Sequence, residues 1–348
     1  MSTSFTLAFG AFVFAGLLVW WILERRRRKT HPVSHGYQAD LVFPHEAEFE
    51  LYHNALSLCS MKTRLCLAEL QIPYVGHHID LIETGCYENI RPRLLNVNPG
   101  GTVPVLLHEG HPIYESHEQI RYAARFASAG VSPLVPDDPA LREEMEAWID
   151  RSSLTENPIE NGDKSAGNAV PGLTVPLFCT MIEKIPYWRI GEGLLFHFDK
   201  FRPFLFALLK LRGIRKLPNL VPAAKAIARS RRDMERHLDA LEDRLAKTGG
   251  PWILGESYSL ADVSWCVVFE RLRQVDMEDV FMGSRVKGEI RRPLVTAYWE
   301  RAKARPAYRE AILDMSHPLI EYGRTRIAEA KAEDAGVREL LEGVDECR

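Results

Sequence analysis

Little in this 348-residue chain would hold it together covalently or through a metal. Its six cysteines (Cys59, Cys66, Cys86, Cys179, Cys266 and Cys347) are scattered, with no CxxC pair and no dense spacing. That pattern excludes a disulfide-stapled scaffold, gives no support for a zinc site, and favours reduced thiols. His77 and His78 alternate across an expected strand and cannot both face one ion, so no metal site is assigned. An excess of charge of one sign is also missing. With 44 Lys and Arg against 47 Asp and Glu, the net charge of -3 leaves no electrostatic footprint for nucleic acid.

Long apolar runs are scarce too, and the clear one is amino-terminal. Residues 5–23 are apolar or small apart from Thr6, end in Trp20-Trp21-Ile22-Leu23, and are followed by Glu24 and an all-basic stretch at 25–29. At 1.5 Å per residue this run matches the roughly 30 Å hydrocarbon core of a bilayer. The tryptophan pair suits the interface and the basic cluster the cytoplasmic side. A cleaved signal peptide would carry its charge before the run and a small-residue cleavage motif after it, and neither is present. The expectation is a retained single-pass anchor over residues 1–30, with the remainder of the chain cytoplasmic. Residues 31–46 read as a short polar linker.

From residue 48 to 130 strands and helices alternate: a strand over 49–53, a helix over 57–70, a strand over 74–79 and a helical or irregular stretch over 85–95. A hairpin over 103–107 and 113–114 turns at Glu109-Gly110, and a helix covers 116–129. The order βαβαββα is that of a thioredoxin-like α/β domain. Beyond a Pro- and Asp-rich linker at 133–139 the pattern turns helical, over 140–160, 223–246, 259–274, 293–304 and from 307 onward. The 223–246 segment sets Ile227, Met234, Leu238, Leu241 and Leu245 along one stripe. An anomalous segment, about 162–222, is rich in Phe, Leu, Pro and basic residues and too broken by charge to span a bilayer. It reads as extra core, as a lid over a cleft, or as a basic amphipathic stretch lying on a membrane surface near 190–215. Residues 326–348 read as a charged carboxyl-terminal tail.

Chemistry gathers at four places. Ser57 and Cys59 stand two positions apart at the start of the first helix of the body, where unpaired N–H groups and the positive end of the helix dipole favour thiol chemistry. Val103-Pro104, entering a strand, suits a cis-proline turn that exposes the backbone of Val103 for strand-like pairing with a peptide. Glu115-Ser116 opens a helix whose hydroxyl, N–H groups and carboxylate can grip an α-amino acid group. Ser259-Leu-Ala-Asp262 is a capping box with Asp in the place of Glu, a structural motif.

In this order the four motifs resemble the glutathione transferase superfamily over residues 48–315, apart from the anomalous segment. The stretch Ser57-Leu-Cys59-Ser60-Met-Lys62-Thr-Arg64 is similar to the zeta-class pattern and looks closest to the tetrachlorohydroquinone reductive dehalogenases. The run Tyr298-Trp299-Glu-Arg-Ala-Lys-Ala-Arg-Pro-Ala-Tyr308 is also similar to theirs. The resemblance implies a thioredoxin-like glutathione-binding domain at 47–130 and an all-helical substrate domain at 137–325 carrying the insertion. It implies glutathione as co-substrate, bound by Ser57, Cys59, Val103, Pro104, Glu115 and Ser116, and a homodimer. Ser57 is then the hydrogen-bond donor to the glutathione thiolate. Cys59 is the redox nucleophile that attacks a glutathione–substrate thioether and leaves a mixed disulfide for a second glutathione to resolve. For Ser57 the bland reading is a helix cap, and for Cys59 a small half-buried packing residue. Cys66, two turns on, reads as packing, and Lys62 and Arg64 as structural or solvated. The expected function is a membrane-anchored glutathione-dependent transferase acting on a small lipophilic electrophile, aromatic or unsaturated. The alternative is a non-catalytic membrane-tethered protein that keeps the fold for binding.

Overall fold

The computed structural model describes residues 3–343 apart from 156, 199, 284, 287 and 288. Helix α1 (Thr3–Arg27) carries the amino-terminal apolar run, which is long and apolar enough to cross a membrane and is unburied. A five-stranded mixed sheet follows, made of β1 (Gly36–Tyr37), β2 (Phe49–His53), β3 (Val75–His78), β4 (Val105–His108) and β5 (His111–Tyr114), in the spatial order β1-β5-β4-β2-β3. Only β2 and β3 run parallel. Helix α2 (Leu58–Glu69) makes the β2–β3 crossover. The short α3 (Pro92–Leu95) and two 3-10 turns fill the β3–β4 connection, and α4 (Ser116–Ala123) closes the unit.

The alternation of the strands divides the core. From β4, Leu106 points toward α2 and α4, while Val105 and Leu107 join Ile79, Leu94, Val97 and Tyr114 on the opposite face. That second face is covered partly by Val33 and Phe43, from the segment expected to be a linker. Residues 31–46 are therefore part of the domain. His31 N–H donates to Pro99 O at 2.8 Å, β1 extends the sheet edge beside β5, and Phe43 N–H donates to Gly110 O at 2.8 Å. Gly110 adopts φ +82°, and a Cβ there would sit 2.5 Å from the Phe43 carbonyl, so this turn requires glycine.

The helical unit comprises α5 (Pro139–Ser152), α6 (Ala166–Met181), α7 (Tyr187–Phe196), α8 (Phe201–Arg212), α9 (Val221–Thr248), α10 (Leu260–Gln274), a small ribbon of β6 (Arg285–Val286) and β7 (Glu289–Ile290), α11 (Pro293–Lys303), the single turn α12 (Pro306–Tyr308), α13 (Pro318–Glu333) and α14 (Ala335–Glu342). Helix α5 stops at Ser152, short of the expected 160, because the following loop holds Asn157 and Ile159 at positive φ around Pro158. The anomalous segment divides in two. Its first part, α6, is buried almost all round between α9 and α13, as extra core, whereas α7 and α8 form a hairpin with one exposed face. The Ser259–Asp262 capping box forms, with Ser259 N–H donating to Asp262 Oδ2 at 2.8 Å.

The expected tail at 326–348 is corrected over its described part. Ile320, Gly323, Ile327 and Ala330 of α13, and Val337 and Leu341 of α14, are buried. Gly323 lies so close to α6 that a Cβ would sit 2.7 Å from Leu177 Cδ1, and Thr180 Oγ1 donates to Gly323 O at 3.1 Å. Residues 344–348, Cys347 among them, lie outside the described residues.

Candidate functional site

Buried β2 ends at His53, and the loop 54–57 turns the chain into α2. Asn54 organises that loop: its amide donates to Ile79 O and Thr84 Oγ1 at 2.9 Å each, and its Oδ1 accepts from Leu56 N at 2.9 Å. Ser57 emerges as the N-cap of α2. Its Oγ accepts from Ser60 N–H at 3.2 Å while its hydroxyl donates to the Val103 carbonyl at 3.3 Å. One oxygen thus serves both the cap and a bond across to the Val103–Pro104 peptide, which is cis.

The other motif residues close around this point. Gln119 of α4 donates to Pro104 O at 3.0 Å and Ile113 O at 2.8 Å and accepts from Thr63 Oγ1 at 2.7 Å, fastening α2, α4 and the hairpin to one another. Glu115 holds φ +68°, a region that costs a non-glycine residue about 1–3 kcal/mol and that persists where the surroundings enforce it. It precedes α4, whose first residue, Ser116, is buried, and the Glu115 side chain makes no cap of its own. Cys59 is half-buried in the first turn of α2, whereas Cys66, Cys86, Cys179 and Cys266 are buried. Burial pushes the Cys66 thiol far up, which leaves it inert and consistent with packing.

Lys62 and Arg64 are not solvated. Arg64 is fully buried and donates to Ala311 O at 2.7 Å and Asn54 O at 3.0 Å, tying α2 to the far end of the helical unit. Burial lowers its pKa to about 10. Lys62 is 1% exposed. Burial lowers its pKa; Cys59, Asp150 and Glu115 act in the opposite direction, and Arg121 adds to the lowering. From α10, the buried Arg271 donates to the Leu56 carbonyl beside Ser57 and leaves its Nε without a partner. His53 is buried against Arg64, and desolvation with the neighbouring positive charge lowers its pKa to about 3. It stays neutral at physiological pH and serves as an acceptor rather than a proton shuttle.

Pattern reasoning missed Gln119, Lys62 and Arg271. The Ser116-x-x-Gln119 spacing carried a signal, since it reads as a capping box; the amide turns instead to the strand carbonyls. The burial of Lys62 and Arg271 comes from helices docking on α2 and has no local signature. A depression of about 1120 Å³ lies elsewhere, lined among others by Glu69, Gln71, Pro136, Trp252, Ser259 and Arg305; it includes the capping-box Ser259 but none of Ser57, Cys59, Val103, Pro104, Glu115 and Ser116. Asp80, Cys86 and Glu88 approach within 4.8 Å of one another, but Glu88 accepts from Asp80 N, and burial, with both carboxylates nearby, pushes the Cys86 thiol up.

The family described as "Glutathione S-transferase, N-terminal domain" matches residues 56–125, and "Glutathione S-transferase, C-terminal domain" matches 224–308. Helix α1 and the segment α5 to α8 fall outside both matches. The chain is 25% identical over 273 residues to a tetrachloro-p-hydroquinone reductive dehalogenase of Sphingobium chlorophenolicum, covering 76% of this chain and 95% of the relative. It is 27% identical over 267 residues to the glutathione S-transferase TCHQD of Arabidopsis thaliana, covering 76% and 89%. Among solved structures, the beta-etherase LigF of Sphingobium sp. strain SYK-6 superposes with a TM-score of 0.59 at 19% identity over 77% of this chain and all of that one, a likeness of fold.

Proposed function

The chain belongs to the glutathione S-transferase superfamily, and from that premise we propose that it is a membrane-anchored glutathione-dependent transferase whose thiolate is held by Ser57. Glutathione is the co-substrate. The observation that carries the reading is the pair of hydrogen bonds at Ser57, accepted from Ser60 N–H and donated to the Val103 carbonyl beside a cis proline. When the cysteinyl part of glutathione pairs with Val103, its own N–H takes the Val103 carbonyl. The Ser57 hydroxyl is thereby released to donate to the glutathione sulfur while the cap on α2 persists. Glu115, Ser116 and the ammonium of Lys62 lie on the side where the charged γ-glutamyl end docks.

In conjugation the thiolate forms a carbon–sulfur bond to the electrophile and a leaving group departs, with proximity and thiolate stabilisation supplying most of the rate. In the reductive branch the Cys59 thiolate attacks the glutathionyl sulfur of an aryl thioether. The carbon–sulfur bond breaks, its electron pair stays on the ring carbon and is protonated, and Cys59 is left in a mixed disulfide. A second glutathione thiolate displaces Cys59 and departs as glutathione disulfide, which closes the electron balance. The relatives named as a reductive dehalogenase and as a glutathione S-transferase support both branches. Lipophilic aromatic or unsaturated electrophiles suit an enzyme held at a bilayer by α1, with the body on the cytoplasmic side. A homodimer is part of the same reading and is measured by sedimentation of the detergent-solubilised chain.

The test is glutathione binding and turnover by the full chain with chlorinated hydroquinones and aryl thioethers. Ser57→Ala should bind glutathione but lose about 100-fold or more in conjugation rate, the usual cost of one preorganised donor. Cys59→Ser should conjugate and fail to reduce. A folded wild type that binds no glutathione would leave the non-catalytic alternative standing.

A further inference from the structure

The hairpin formed by α7 and α8 carries two kinds of face. Inward, Ile190, Gly193 and Phe196 on α7 and Pro203, Phe206 and Leu209 on α8 are buried. Outward, Trp188, Leu195 and Phe198 continue into Phe204 and Leu211, the last two 64% and 71% exposed. Trp188 and Leu195 stand seven apart on α7, as do Phe204 and Leu211 on α8, so each helix turns one apolar face outward. An apolar patch of this kind on a soluble surface marks a partner or a membrane.

Its position selects the membrane. The hairpin meets α1 where the apolar run of that helix ends: Trp20 sits edge-on to Phe196 at 5.6 Å, Trp21 Nε1 donates to Leu195 O at 3.3 Å, and the Arg25 guanidinium lies 4.8 Å over the Phe198 ring. Those residues are the tryptophan pair and basic cluster that belong at a membrane–water boundary. The charge agrees. Between residues 186 and 217 the only acidic residues are Glu192 and Asp199, all other charges being Lys or Arg. Arg189 stacks on Trp188 at 3.9 Å, a pairing of cation and aromatic suited to the headgroup layer. The hairpin is also fixed to the body. Arg202 pairs with the fully buried Glu83, and Gly193 is pressed so closely on Tyr87 that a Cβ would sit 2.4 Å from its hydroxyl.

We propose that the α7–α8 hairpin is a second membrane contact, lying in the boundary between headgroups and acyl chains of the bilayer that α1 crosses. This rests on the anchoring proposed for α1. A single spanning helix leaves the body free to swivel, whereas two contacts at one level fix which side of the body faces the lipid.

The experiment places the photo-crosslinking residue benzoylphenylalanine, one site at a time, in place of Phe204, Leu211, Phe12 and Lys247 of the full chain, reconstituted in phosphatidylcholine vesicles containing phosphatidylserine. Lipid adducts are read by mass spectrometry. Phe204 and Leu211 should give lipid adducts, as should Phe12 in the middle of the span, and Lys247 at the far end of α9 should give none. No lipid adduct from either hairpin site, or a cross-link to a second copy of the chain instead, overturns the hairpin contact. Adducts from the hairpin with none from Phe12 uphold the hairpin and overturn the anchor. Adducts from Phe12 alone do the reverse, and none from any site overturns both.

Discussion

At Ser57 a cap and a proposed catalytic donor share one oxygen, so its substitution should be visible in two measurements. Losing the cap costs about 1 kcal/mol, which for a chain of this size is a fall in melting temperature of roughly 1–2 °C, and Ser57→Ala should show it alongside the lost rate. A threonine restores both, since its hydroxyl caps and donates alike. Lys62 presents the opposite balance. Its ammonium is desolvated, and its lowered pKa means that the buried charge costs stability at any pH below that value. Replacing buried charges by apolar side chains of similar volume is often neutral or stabilising, by up to about 1–4 kcal/mol. Lys62→Met should therefore raise the melting temperature while raising KM for glutathione, the trade expected of a residue kept for binding. If calorimetry and kinetics find the melting temperature up and KM unchanged, Lys62 has no part in holding the γ-glutamyl end.

At the scale of elements, legibility followed how local each constraint was. Helix α2 with its cap, the hairpin of β4 and β5 and the amphipathic α9 were readable because period, turn residues and caps lie within one segment. Strand β1 was not: two residues, Gly36 and Tyr37, become a strand only by pairing with β5, and the apolar Val33 and Phe43 were hidden in a polar-looking stretch. The final helices were misread because dense Lys, Arg and Glu mask a buried row of small and apolar residues at Ile320, Gly323, Ile327 and Ala330. Within the site, the motif residues were legible as motifs, but their joining through Gln119 and the burial of Lys62 depend on elements distant in sequence. The packing of α13 can be tested where it is tightest. Gly323→Ala drives a methyl group to 2.7 Å from Leu177 and 3.0 Å from Met181. Such overpacking should cost about 1–3 kcal/mol in denaturant unfolding. An unchanged midpoint would mean that α13 does not rest on α6.

For the whole molecule, one carboxylate joins the three parts that set its orientation. Glu192 of α7 accepts from Arg28 just beyond α1 at 2.7 Å, from Arg91 of the thioredoxin-like domain at 2.6 Å and from Arg189 at 3.0 Å. Burial alone would raise its pKa, but the three guanidinium hydrogen bonds outweigh it and hold the carboxyl below the usual range. A depressed carboxylate contributes stability that is complete above its unfolded value, about 4.3, and is lost as the pH falls through the folded value. Between neutrality and about pH 5 the junction should therefore hold, and below about pH 4 it should loosen. Glu192→Gln imposes the loosened state at neutral pH, leaving three guanidinium groups facing an uncharged amide. Charge-assisted hydrogen bonds contribute about 1.5–3 kcal/mol each, so even one lost bond increases the open population about tenfold or more. Trypsin reports this directly at Arg25 and Arg28, which lie over the Phe198 and Phe196 rings in the closed junction. In vesicles, cleavage there should be about tenfold faster or more for Glu192→Gln than for the wild type at neutral pH, with the two converging in acid-pulsed samples. Equal rates at neutral pH would place the hold on α1 elsewhere, in the contacts of Trp20 and Trp21 with Phe196 and Leu195.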